Sequence, residues 1–124
     1  MIVLDTSALI RFFTRDDEAK AIKVKKLLES SEELLLIDAV FLELVFTLIK
    51  VYKTPKKEIL EIAQYLLSRS NIEVSLEIRK AIKIYEDRNV SITDCLVMVY
   101  AKGNKVASFD EKLLKMGGIK SVWG

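Results

Sequence analysis

The chain contains no histidine, and that absence narrows its chemistry before any motif is considered. Serine triads and imidazole relays need a ring nitrogen to carry a proton, so they are excluded. The single cysteine, Cys95, cannot form an intramolecular disulfide and has no imidazole to activate it, so it reads as a small buried hydrophobe. Zinc, which favours nitrogen and sulfur, lacks its usual donors. Long apolar runs are also missing. Although 51% of the residues are hydrophobic, charges interrupt every run well before the roughly 18 to 20 residues that a membrane span requires, and no transmembrane segment is expected. Met1-Ile2-Val3-Leu4-Asp5 has neither a basic region nor a cleavage site, so the expectation is a cytoplasmic protein without a signal or transit peptide. Twenty basic residues against eighteen acidic ones leave a net charge of +2, too small to mark a nucleic-acid binder by itself.

At 124 residues the chain is expected to form one domain, 1–124, large enough to bury a core without disulfide or metal staples. Periodicity alternates between strand and helix candidates, with no repeat, low-complexity tract or linker. Strands are expected at Ile2 to Asp5, Leu34 to Ile37, Ile72 to Val74, Lys105 to Phe109 and Ile119 to Val122. Between them, helices are expected from Ser7, after a cap at Asp16 or Asp17, after a cap at Asp38, after Thr54-Pro55, around Ile78 to Tyr85, from Ser91 or Thr93, and from Glu111 to Met116. Strands separated by helices imply an α/β fold whose parallel sheet is covered on both faces.

Four acids stand out in this frame. Asp5 and Asp110 fall at the ends of strand candidates, while Glu43 and Asp94 interrupt apolar stretches near the starts of helices, with no lysine or arginine close by in sequence. Sites in open parallel sheets form outside the carboxyl ends of the strands, which would bring the four to one edge. Asp5 alone reads equally well as a helix cap, and each of the others has the reading of a neutral acid or a cap. Taken together they suggest a hard cation, Mg²⁺ or Mn²⁺, bound through oxygen. Such a cation runs phosphodiester hydrolysis without a histidine base. Without metal, carboxylates converging on one pocket are expected to repel. By contrast, Asp16, Asp17, Glu18, Asp38 and the Glu29 to Glu33 group read as caps or solvated charges. The lysines of Lys20 to Lys26 and Lys53 to Lys57 read as wet helix faces, with phosphate contact the minority reading, and Trp123 reads as packing an edge strand or an interface.

At these residues the chain resembles the PIN domain family, and within it the VapC type of toxin ribonuclease. The resemblance rests on Val3-Leu4-Asp5-Thr6-Ser7-Ala8-Leu9-Ile10, on Leu42-Glu43-Leu44, on Thr93-Asp94-Cys95-Leu96 with Tyr100-Ala101, and on Ala107-Ser108-Phe109-Asp110-Glu111-Lys112-Leu113. It covers nearly the whole chain. It implies a three-layer α/β/α sandwich with a five-stranded parallel sheet in the order 3-2-1-4-5, and a metal-dependent endoribonuclease site acting on RNA. It also implies a homodimer and inhibition by a cognate VapB-like antitoxin. Carried over by position, Asp5, Glu43 and Asp94 resemble the main metal-site acids and Asp110 the more variable fourth, with Thr6 and Ser108 as supporting hydroxyls. Ser7 stands where the family often has Asn, which bears on its supporting contacts. Two other roles within the family are a housekeeping RNA-processing nuclease and a catalytically weak protein-binding module. Ribonuclease H-like nucleases place antiparallel hairpins where this chain has helices. Haloacid dehalogenase-type phosphotransferases need a second Asp where Ser7 stands.

Overall fold

Residues 1–124 are described by a computed structural model, in which the chain forms two compact units, Met1–Ser75 and Leu76–Gly124. The first unit is built on a parallel sheet whose central strand, β2 (Leu34–Leu36), lies between β1 (Ile2–Val3) and β3 (Ile72–Val74). Ile2 and Val3 stand opposite Leu34 and Leu35, and Leu34 and Leu36 opposite Ile72 and Val74. Strands that are apolar at nearly every position suit a parallel sheet. Four helices complete the unit: α1 (Thr6–Thr14), α2 (Glu18–Leu28), α3 (Asp38–Lys50) and α4 (Lys56–Ser68). Leu9, Leu28, Leu34, Leu44 and Leu66 are fully buried. Phe12 on α1 stacks on Tyr65 of α4, with ring centroids 5.6 Å apart. The Asn71 amide donates to the carbonyls of Leu28, Ser30 and Glu32, tying the chain after α2 to the start of β3.

Local chemistry sets the helix ends. Asp17 caps α2 by accepting from the Lys20 N–H at 3.1 Å, as its sequence position suggests. Two expected caps differ. Asp38 is the first residue of α3 and makes no cap bond; its Oδ1 accepts instead from the Ser75 hydroxyl at 2.7 Å. Pro55 is itself the cap of α4, one position earlier than the usual helical proline, because its extended ψ of 155° keeps it outside the helix.

In the second unit α5 (Leu76–Asp87) packs on α6 (Ile92–Ala101), burying Ile78, Ala81, Ile82 and Tyr85. Burial raises the Tyr85 phenol above its ordinary value, with a smaller contribution from Cys95, which is fully buried. Strands β4 (Lys105–Val106) and β5 (Lys120–Ser121) form a separate two-stranded parallel sheet, with α7 (Glu111–Leu114) between them in sequence. The strands thus form a three-stranded and a two-stranded parallel sheet, where sequence led us to expect a single sheet of five. The last two are shorter than expected. After Val106 the Ser108 hydroxyl accepts from the Asp110 N–H at 3.0 Å, and that turn ends the strand before Phe109. No helix is long and apolar enough to cross a membrane.

Candidate functional site

Asp5 leaves β1 in an extended conformation (φ −104°, ψ 154°) and caps α1. Its Oδ2 accepts from the Ser7 hydroxyl at 2.6 Å and from the Ser7 N–H at 3.2 Å. Those two donations, the hydroxyl foremost, hold the Asp5 carboxyl below the usual aspartate range. Thr6 beside it is buried, and its Oγ1 has no hydrogen-bond partner in the protein. Glu43 lies in the second turn of α3, one turn later than its apolar neighbours suggested. Phe41, Leu44, Val45 and Leu48 form the buried stripe of that helix, and Glu43 shares the exposed side with Phe46.

In the second unit Asp94 is the third residue of α6 and is half-buried, its N–H donating to the Ser91 hydroxyl at 3.1 Å. Asp110 caps α7, its Oδ1 accepting from the Leu113 N–H at 3.2 Å, while Ser108 holds its backbone as described. The expectation that all four acids are embedded in apolar surroundings is therefore corrected: Asp5, Glu43 and Asp110 are exposed, and only Asp94 is half-buried. An acid amid apolar sequence neighbours still reaches water when the helical period puts it opposite the core.

None of the four has a lysine or arginine as a salt-bridge partner. Asp5, Asp94 and Asp110 stand at helix amino ends, where the backbone dipoles favour negative charge. The first unit carries Asp5 and Glu43 and the second carries Asp94 and Asp110. Within neither unit alone do three such groups gather to hold a metal.

One feature went unread in the sequence. A cavity of about 350 Å³ in the first unit is lined by Ser7, Ala8, Arg11, Lys20, Lys23 and Val24. Lysines that read as a wet helix face thus border a basic pocket that begins at the serine holding Asp5. The signal was the helical spacing of Lys20 and Lys23, which becomes meaningful only once α1 lies against α2. Arg11 is oriented by Asp16, donating to its Oδ2 at 2.7 Å, and the Tyr52 hydroxyl reaches the same oxygen at 3.3 Å. Desolvation pushes the Asp16 carboxyl up, but the Arg11 and Tyr52 contacts prevail and hold it below its ordinary value.

The PIN domain family model matches residues 2–119, a span that takes in Asp5, Glu43, Asp94 and Asp110. The chain belongs to the PIN domain family. The VapC ribonuclease of Aquifex aeolicus (strain VF5) is 33% identical to this chain over 125 residues, covering 94% of this chain and 93% of that protein. No solved structure matches the chain at a significant level. The donor chemistry of this PIN domain fits a hard divalent cation, since its candidate ligands are carboxylates and hydroxyls, histidine is absent and Cys95 is inaccessible.

The Asp5–Ser7 pair gives a first prediction. A carboxyl with a depressed folded pKa contributes stability above its unfolded pKa, and loses that contribution as the pH falls through the folded value. Ser7→Ala removes the strongest donor. The Asp5 carboxyl should then titrate at higher pH than in the wild type, as followed by carboxyl-carbon NMR. The variant should be less stable at neutral pH, with no difference at pH values below both pKa values.

Proposed function

We propose that this protein is a divalent-metal-dependent endoribonuclease of the VapC type, the toxin half of a toxin–antitoxin pair. In this reading residues 1–124 form one PIN domain with strand order 3-2-1-4-5, and Asp5, Glu43, Asp94 and Asp110 serve a common centre that takes Mg²⁺ or Mn²⁺. The observation that carries the reading is the coincidence of the PIN domain match with four carboxylates that no basic side chain neutralises. The name of the Aquifex aeolicus relative points to RNA as the substrate.

When bound, the cation lowers the pKa of a water molecule and stabilises charge developing on the phosphoryl group. Asp5, kept anionic by Ser7, would hold the cation together with Glu43 and Asp94, and Asp110 would complete the ligand set. Thr6 and Ser108 support these acids. Arg11, Lys20 and Lys23 draw the phosphates of the strand toward Ser7. In the reaction the oxygen of water bonds to phosphorus, the bond from phosphorus to one ribose oxygen breaks, and that oxygen leaves with a proton. The ribose 2′-hydroxyl takes no part. Digestion of an end-labelled single-stranded RNA should therefore give phosphomonoester and hydroxyl ends. A 2′,3′-cyclic phosphate would refute the attack by water.

The partner of such a toxin is a small separate antitoxin that places an arginine among the acids, where a bidentate guanidinium substitutes for the cation. We place the pair in the cytoplasm, with the toxin as a homodimer. Purification from the native host should bring down a small inhibitor with the tagged protein. Active protein recovered without one would favour a housekeeping role in RNA processing.

A further inference from the structure

Phe109 is 86% exposed, more than any other large hydrophobic side chain, and Trp123 is 61% exposed. The two rings stack on each other, 4.8 Å between centroids and 7° from parallel. The small sheet of the second unit builds this arrangement. Because β4 and β5 are parallel, the chain leaves both at the same end, and the Val122 N–H extends the pairing by donating to the Val106 carbonyl at 3.0 Å. Phe109 follows Val106 by three positions and Trp123 follows Ser121 by two, so their rings meet just beyond the carboxyl ends of the strands. Two hydroxyls fix the local turns: Ser108 accepts from the Asp110 N–H and Ser121 from the Trp123 N–H.

A stack formed only to hide apolar surface would not leave Phe109 this open to water. Each ring shields one face of the other, and both residues stay largely exposed. The two strands beneath the stack also carry a pair of like charges. Lys105 and Lys120 stand in register on adjacent strands, both are exposed, and neither has an acidic partner. Like charges directly paired across strands destabilise a sheet unless an anion sits near them. Exposed stacked rings on the same small sheet as two unpaired ammonium groups match a base and the phosphates of a single strand.

We propose that the Phe109–Trp123 stack is a platform for one unpaired nucleobase of an RNA strand, with Lys105 and Lys120 taking its phosphates, and that it positions the strand beside Asp110. The platform rests on the reading of the protein as a ribonuclease and adds the residues that seat the substrate.

Trp123 is the sole tryptophan, so its emission reports on the stack directly. The full-length protein, held in chelator so that no cleavage occurs, is titrated with an eight-nucleotide oligoadenylate and with an abasic ribose-phosphate chain of the same length and charge. The RNA should quench the emission saturably and bind about ten-fold more tightly than the abasic chain. Phe109→Ala should lose about that ten-fold for the RNA only, and Phe109→Tyr, which keeps a ring, should retain it. Equal affinity for the two chains, no quenching, or emission that tracks protein concentration would overturn the platform; the last would assign the stack to a second copy of the chain. Metal-dependent cleavage by the wild type with an unchanged KM in Phe109→Ala would overturn the platform while leaving the ribonuclease reading intact. Base-dependent binding without cleavage on adding metal would do the reverse.

Discussion

Asp5→Asn, Glu43→Gln and Asp94→Asn are each expected to lower the rate of metal-dependent RNA cleavage by about a thousand-fold, the scale on which removal of one charge-stabilising group costs a reaction. Each substitution removes ligand charge and keeps the shape of the side chain. The structure separates this effect from misfolding. Asn at position 5 still caps α1, since its carbonyl oxygen can accept from the Ser7 N–H as the carboxylate does. Glu43 is exposed and opposite the buried stripe of α3, so Gln there disturbs no packing. Circular dichroism should therefore match the wild type while activity falls, and the melting temperature of Glu43→Gln in chelator should stay close to wild type. Asp110→Asn should cost only about ten-fold, because Asn can still cap α7 through its side-chain oxygen and Ser108 still positions its backbone. A Glu43→Gln protein with wild-type turnover would leave Glu43 as an ordinary polar residue on the wet side of α3.

The second large effect is on stability and needs no RNA. A cation bound only by the folded state stabilises it by RT ln(1 + [L]/Kd), about 2.7 kcal/mol when the metal is at a hundred times its dissociation constant. For a chain of this size that corresponds to a rise of about 10 °C in the melting temperature. Mn²⁺ or Mg²⁺ should produce this rise in the wild type and little or none in Asp5→Asn. Repulsion among the acids would make Asp5→Asn more stable than wild type in the absence of metal. The structure argues for the opposite sign. The Ser7 donations hold the Asp5 carboxyl below its ordinary value, so metal-free Asp5→Asn should lose some stability at neutral pH. Melting curves of both proteins, with chelator and with metal, read the two effects together.

Sequence showed some elements closely and others in outline, and the physical reasons differ. Ile72–Val74 appears as a strand at its expected bounds, and the buried face of α5 is the expected Ile78, Ala81, Ile82 and Tyr85. Both are marked by an apolar pattern of one clear period. The last two strands were overestimated because Val106, Ala107 and Phe109 have strand-like character, while the turn made by Ser108 depends on a side-chain-to-backbone bond that composition does not reveal. Glu43 read as buried because every neighbour in sequence is apolar. Only the helical period shows that Phe46 and Ile49 are themselves exposed, and Glu43 with them. Of the candidate acids, Asp5 and Asp110 read as ending strands, with capping of the next helix as the alternative, and each does cap a helix. The basic pocket beside Ser7 and the stack of Phe109 on Trp123 were not legible, because each joins residues that only the packing of helices or the pairing of strands brings together.

Cleavage of a labelled single-stranded RNA by the purified protein, followed before and after chelation and on return of Mg²⁺ or Mn²⁺, tests the central claim most directly. A metal-dependent ribonuclease loses its activity in chelator and recovers it with either cation, and Asp94→Asn stays inactive throughout. Cleavage that continues in chelator, or an Asp94→Asn protein as active as wild type, would contradict it.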